Sequence, residues 1–322
     1  MQISKILPGA LAAMVLLLAG TAAAQQYPSQ PVTFIVPRTP GGDSDIIIRT
    51  LAPELSKKLG VPVLIENRPD AAAIIGAQLV QQSKPDGYRY YLSDNSFYQN
   101  PAINKSLPYD TIKDFTAVTM LAEGPVLMVA NPSVPAKTLP EVIQLAKKQP
   151  DQLTFASGGI GSSTHLIGVL LNLEAGIKIR HIPYKSAGDS IAAVVGGHTH
   201  FQFGGISSAR SHVEAGRVVP IALTGSKRNP AMPNVPTMEE AGLKAVDVTS
   251  VWGVHAPAGT PIAVRRTMRD ALAAVMSEPE MLKKLNSLGY SPIGNTPEEH
   301  QAMTERIVNR WVALSKQVDL SD

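Results

Sequence analysis

The segment VTFIVPRTPGGDSDIIIRTLAPELSKKL, residues 32–59, decides the fold. Val32–Val36 is rich in β-branched residues and stops at Pro37, which reads as a strand. Ile46–Leu59 reads as a helix, and Pro53 inside it removes one backbone donor, which predicts a kink or a restart. Pro37 to Asp45 joins the two through Gly41-Gly42. Strand, glycine turn and helix in succession are the unit from which parallel sheets are built.

The pattern repeats outward from that segment. Further strands are expected at Val63–Ile65, Tyr88–Leu92, Val126–Ala130, Thr154–Ala156, Ile177–Ile182 and Val218–Leu223. Helix openings are signalled by Thr138 with Glu141, by Thr237 with Glu240, and by Thr296-Pro297 and Thr260-Pro261; each supplies a side-chain acceptor or a preset φ for the first turn. The alternation argues for an α/β fold with mostly parallel sheets covered on both faces.

Composition narrows the class. The chain has 322 residues, room for about two domains. It is 44% hydrophobic and 17% charged, which excludes wholesale disorder. The net charge of +3 comes with Lys and Arg in scattered pairs, and aromatics are 5%, so no polyanion track or base-stacking platform is present and nucleic acid is not an expected partner. Lys5, the apolar run Leu11–Leu18 and Ala22-Ala23-Ala24 form a signal peptide over residues 1–24, with the mature start near Gln25. That run is shorter than the ~20 residues a bilayer span needs. An exported, soluble protein is therefore expected. Cysteine is absent, which removes disulfides, thiolate metal sites, Cys nucleophiles and a lipid anchor built on Cys.

Two glycine-rich loops carry the candidate chemistry. The first is Arg38-Thr39-Pro40-Gly41-Gly42-Asp43-Ser44; the second is Ser157-Gly158-Gly159-Ile160-Gly161-Ser162-Ser163-Thr164-His165. Each follows a strand and opens a helix, so each offers unpaired N–H groups and a partial positive charge to an anion. The plainer reading of the first is a tight turn with Ser44 or Asp45 as N-cap. The second lacks G-x-S-x-G and G-x-x-x-x-G-K-[ST], and Thr164 leaves G-x-G-x-x-G incomplete. A secreted serine hydrolase using Ser162 or Ser163 with His165 stays as the alternative to a carboxylate binder. His198-x-His200 lacks a carboxylate partner and reads as a turn pair. No metal and no cofactor are expected.

Taken in register, Pro40-Gly41-Gly42 to Asp45, Glu66-Asn67-Arg68-Pro69, Pro85-Asp86-Gly87-Tyr88, Leu107-Pro108-Tyr109-Asp110, Asn131-Pro132-Ser133-Val134-Pro135, His181-Ile182-Pro183-Tyr184-Lys185, Pro233-Asn234-Val235-Pro236-Thr237 and Ala256-Pro257-Ala258-Gly259 span the mature chain. It resembles the Bug-type extracytoplasmic receptors of the tripartite tricarboxylate transporter class. The resemblance implies a two-lobed Venus flytrap with two hinge crossovers, near Glu123–Met128 and Val246–Val251. Lobe 1 would hold residues 25–125 and 249–322, and lobe 2 residues 126–248. It implies a monomer that binds a small organic acid between the lobes and serves a membrane permease or a sensor ectodomain. Carried onto this chain, the ligand contacts are Arg38, Thr39, Pro40, Gly41, Gly42 and Ser44, with Ser96 and Phe97, against Ser157, Gly158, Gly159, Gly161, Ser162, Ser163, His165, Tyr184 and Gly204.

Three departures from the family pattern sharpen the expectation. Arg38 replaces an aromatic residue and could clamp a second carboxylate bidentately. Gly204 stands where many relatives carry Asp, which argues against a ligand ammonium. Phe97 and Tyr98 could form a flat apolar wall. Together they point to a dicarboxylate without an amino group, with an aromatic, phthalate-type acid as the sharper form.

Overall fold

The computed structural model describes residues 27–315 apart from Ala71, Gly161, Ala245 and Asp247; the expected signal peptide lies outside the described residues. The strands are β1 (Val32–Val36), β2 (Val63–Asn67), β3 (Arg89–Ser93), β4 (Phe115–Ala130), β5 (Thr154–Ser157), β6 (Arg180–Pro183), β7 (Phe201–Gly205), β8 (Val219–Leu223), β9 (Thr249–Pro257) and β10 (Ser291–Pro292). The helices are α1 (Asp43–Leu59), α2 (Ile74–Gln81), α3 (Asn95–Ile103), α4 (Leu139–Lys148), α5 (Ser163–Ala175), α6 (Ala187–Val195), α7 (Ile206–Glu214), α8 (Ile262–Ser277), α9 (Pro279–Ser287) and α10 (Pro297–Leu314).

The strands run in the order β2-β1-β3-β9-β4-β7-β5-β6, with β8 and β10 also on β4. Pairing is parallel in the outer parts, β2-β1-β3 and β7-β5-β6. It is antiparallel wherever β4 or β9 takes part, so the sheet is mixed. β4 changes partner midway: Phe115–Pro125 pairs with β9, and Val126–Ala130 pairs with β7 and β8. β9 returns from the second half at Thr249, opposite Pro125. Two extended strands thus join the halves, and the fold is a two-lobed α/β fold of the periplasmic-binding-protein kind.

Period-two alternation loads both faces of each half. In β1, Phe34 and Val36 pack with Ile47, Leu51 and Leu55 of α1 and with Met268 and Leu272 of α8. Ile35 faces the other way, onto Ala77, Val80 and the aromatic group of Tyr91, Phe97 and Tyr98. The second half repeats the scheme, with Phe155, Phe201 and Phe203 toward α4 and α5, and Ala156, Ile191 and Ala209 on the α6–α7 face.

Several local expectations change. α1 runs unbroken through Pro53, which is exposed and at the solvent side. Thr138 and Thr296 cap α4 and α10 with complete boxes. Thr237 accepts from the Glu240 amide but opens a turn only, which Gly242 ends. In Thr260-Pro261, Pro261 is the N-cap of α8 and not its first helical residue.

Candidate functional site

Five strands of the two halves, β1, β3, β5, β6 and β7, each feed a helix: α1, α3, α5, α6 and α7. The two halves run in opposite senses, so carboxyl ends of strands and amino ends of helices meet between them, near the point where β4 changes partner. The N-caps are Gly42, Asp94, Ser162, Ser186 and Gly205. Residues from all five helix starts surround one cavity of about 60 Å³. One water needs roughly 10–15 Å³, so the cavity has room for the head of a small acid.

Donors aim at this space. Ser162 caps α5 by accepting from the His165 amide, which leaves the Ser163 and Thr164 amides with no acceptor among the described residues. Gly42 gives α1 no side-chain cap, so the Asp43 and Ser44 amides are in the same position. Each helix start carries roughly half a positive charge. Two carboxylates, Asp43 and Asp94, also line the cavity. Asp94 is held by Arg38 at 2.6 Å and caps α3 through the Ser96 amide. Asp43 accepts from the Gly205 amide at 3.1 Å, the Ser208 amide at 3.2 Å and the Ser207 hydroxyl. Burial pushes the Asp43 carboxyl up, against those bonds, which pull it down. Both acids are thus already engaged, and the remaining helix starts leave the cavity suited to an anion.

The first loop is held from behind. Asp45, expected as a possible N-cap, instead accepts from the Gly41 amide, Arg49 and Asn67. Burial alone would raise its carboxyl, but these donors bring it below its ordinary value. Asn67 also donates to the Arg38 carbonyl, and Gly41 adopts a φ of +83°, open to glycine without strain.

Seven of the expected contacts line the cavity: Arg38, Gly42, Ser44, Ser96, Gly158, Ser162 and Ser163. Arg38 is not the open fork expected. Its Nε donates to Asp94 and an Nη to Ser96 Oγ at 2.6 Å. Burial works against the guanidinium charge, and Asp94 outweighs that, so it titrates above its ordinary value. Thr39 donates across the cleft to Ser186 at 2.6 Å, and Pro40 and Gly41 are exposed at the loop tip. Phe97 is no cleft wall: it is fully buried with Tyr91, Tyr109, Phe115 and His255 around its ring, and Tyr98 is buried beside it.

The second loop divides in the same way. Ser157 hydrogen-bonds His181 at 2.6 Å, and Gly204 sits in β7 opposite Leu127. Gly159 and Tyr184 line a wider, more open groove of about 1020 Å³ on the far side of the Gly158–Gly159 turn, with Ile103, Ile160 and Lys185. Gly161 lies outside the described residues. His165 is fully buried, stacked on His181 at 4.0 Å, and burial with that neighbour pushes His181 down to about 3. The Ser162 hydroxyl accepts from the His165 amide as a helix cap and donates to the Gly159 carbonyl at 2.6 Å, so its proton is directed away from any histidine base. His200 bonds Thr154, consistent with a turn pair, and no group of three or more metal-ligating side chains occurs among the described residues.

Reasoning from sequence missed Asp94, Asn95, Ala187, Gly205, Ser250 and Trp252 as lining residues, and placed Asp43 and Thr164 in the two loops without singling them out. Asp94 was findable as an Asx N-cap two residues before Ser96. Asp43 stood in the loop, but its partners lie more than 160 residues away.

The sequence profile of the tripartite tricarboxylate transporter family receptor matches residues 47–320. A curated relative from Bordetella pertussis, described as a UPF0065 protein, is 32% identical over 314 residues, 96% of each chain. The structure of periplasmic binding protein BugD superposes with a TM-score of 0.87 at 30% identity, covering 92% of this chain and 99% of that one. R. palustris Rpa4515, solved with adipate, gives 0.87 at 29% identity, covering 90% and 97%. With the profile spanning residues 47–320 and the fold shared over about nine-tenths of the chain, the chain belongs to the tripartite tricarboxylate transporter receptor family.

Proposed function

We propose that the chain is a periplasmic receptor that captures a small aliphatic carboxylate, in its favoured form a dicarboxylate without an amino group. It would deliver that acid to the permease of a tripartite tricarboxylate-type transporter or to a sensor ectodomain. The observation that carries this reading is the meeting of five helix N-termini at one cavity, with four first-turn amides unclaimed among the described residues. Rpa4515, a relative of the same fold, was solved with adipate, a dicarboxylate.

The acid's head would lie between the starts of α1 and α5, with its body extending toward the groove beside Gly159. Phe97 and Tyr98 are core residues, which favours an aliphatic over an aromatic acid. Gly204 carries no acid, and the Asp43 oxygens nearby are taken by α7 donors, so nothing there is reserved for an ammonium. Lobe 1 would comprise residues 25–125 and 249–322, lobe 2 residues 126–248, and residues 1–24 a cleaved signal. No helix among the described residues is long and apolar enough to cross a membrane.

The role is binding without turnover. A thermal-shift screen of carboxylates, run beside an ester-hydrolysis assay, tests it. Saturable stabilisation without hydrolysis is expected, since a ligand of the native state stabilises by mass action. Hydrolysis lost in Ser162→Ala would replace this reading with the hydrolase.

A further inference from the structure

The Asp43 backbone amide faces the solute, but its side chain has no part in the solute reading. Asp43 belongs to the first turn of α1, yet both carboxylate oxygens are spent on the other lobe. Oδ2 accepts from the Gly205 amide, and Oδ1 accepts from the Ser208 amide and the Ser207 hydroxyl. Those donors are the start of α7, where an anion is favoured by unpaired amides and by the helix field. The approach depends on Gly205, because a Cβ there would collide with the Asp43 carboxylate. Tyr290 fixes the other side: its hydroxyl donates to the Asp43 carbonyl at 2.8 Å and lies 2.8 Å from Ser207 Oγ.

We propose that Asp43 is a resident substitute for a solute carboxylate: it caps α7 across the cleft, helps latch the lobes without a solute, and confines recognition of the incoming acid to the α1–α5 side. The last part rests on the carboxylate reading above; the latch does not. Closure then draws on bonds internal to the chain, and a solute adds to a closed state already favoured. A carboxylate of the solute finds the start of α7 taken.

The chain has no cysteine, so Lys58→Cys and Lys148→Cys, both exposed and in different halves, accept spin labels without background. Interlobe distances are read by double electron–electron resonance in protein freed of solute. The parent should show one predominantly short distance. Asp43→Ala should lower the closed-to-open ratio by about tenfold or more, roughly what one charge-assisted hydrogen bond supplies. Asp43→Asn, which keeps the shape without the charge, should fall between. If Asp43→Ala does not fold, Ser207→Ala and Gly205→Ala carry the same test and should open the cleft in the same sense. Distances unchanged from the parent overturn the latch. Calorimetric titration with adipate is read separately. Opening in the variants with no adipate bound by the parent keeps the latch and removes the solute reading; adipate binding without opening removes the latch alone.

Discussion

Acid should destabilise the first half of this protein well before its carboxylates are protonated. His255 and His300 are 1% and 0% exposed, with rings 4.6 Å apart. His255 bonds Ser93 and Thr304, His300 bonds Tyr98, and His300 Nδ1 has no partner among the described residues. Burial pushes His300 down to about 3, and burial together with its neighbour holds His255 well below the ordinary value of 6.5. In the unfolded chain both rings take up a proton as pH falls through about 6.5, while in the folded chain they stay neutral. Protons therefore bind the unfolded state preferentially, and stability declines from about pH 6.5 downward. At pH 5 the loss is about 1.5 pH units times 1.36 kcal/mol, or about 2 kcal/mol per histidine and about 4 for the pair. Trp252 and Trp311, the two tryptophans of the chain, lie in the same half, so urea unfolding followed by their fluorescence at pH 7.5 and 5.0 reads it directly. Asp43, raised by burial, works in the opposite sense, and His181, pushed down to about 3, adds a loss of its own, so the comparison that decides is with His300→Gln, where the loss should shrink by about 2 kcal/mol. An equal loss in parent and variant, or no loss in the parent, refutes the reasoning.

Other changes bear on the site and the core. Asp94→Ala leaves the Arg38 guanidinium buried without its carboxylate and should cost about 3–5 kcal/mol in urea unfolding. Gly168→Ala would drive a methyl into the Phe155 ring and should cost about 1–3 kcal/mol, seen as a lower melting temperature. Gly158→Ala meets nothing nearer than 3.6 Å and should fold normally, but its methyl lies beside the cavity and should weaken adipate at least about tenfold by calorimetry.

The β1–turn–α1 unit was legible because its strand, glycines and helix are contiguous and locally consistent. The strands that join the lobes were not. β4 runs 16 residues, and Glu123-Gly124-Pro125 breaks its pattern at the change of partners, so only its last five residues read as a strand. β9 contains Gly253 and His255, which owe their places to the His300 and Tyr98 side chains packed over them. The two glycine loops were found because helix starts advertise themselves in sequence. What fills and neutralises the space between them was not, since Arg38 meets Asp94 and Asp43 meets Gly205 only through the tertiary fold. Phe97 follows the same logic: an aromatic ring is placed by what buries it, here Tyr91, Tyr109 and Phe115 from neighbouring elements and His255 from far along the chain.

Calorimetric titration of solute-free protein with adipate, beside its uncharged diamide, tests the anion-binding cavity most directly. Saturable one-to-one binding of the dicarboxylate, at least about a hundredfold tighter than the diamide, is the predicted result. Equal affinity for the two would contradict the account, because helix N-termini that do not distinguish a carboxylate from an amide are not what holds the solute.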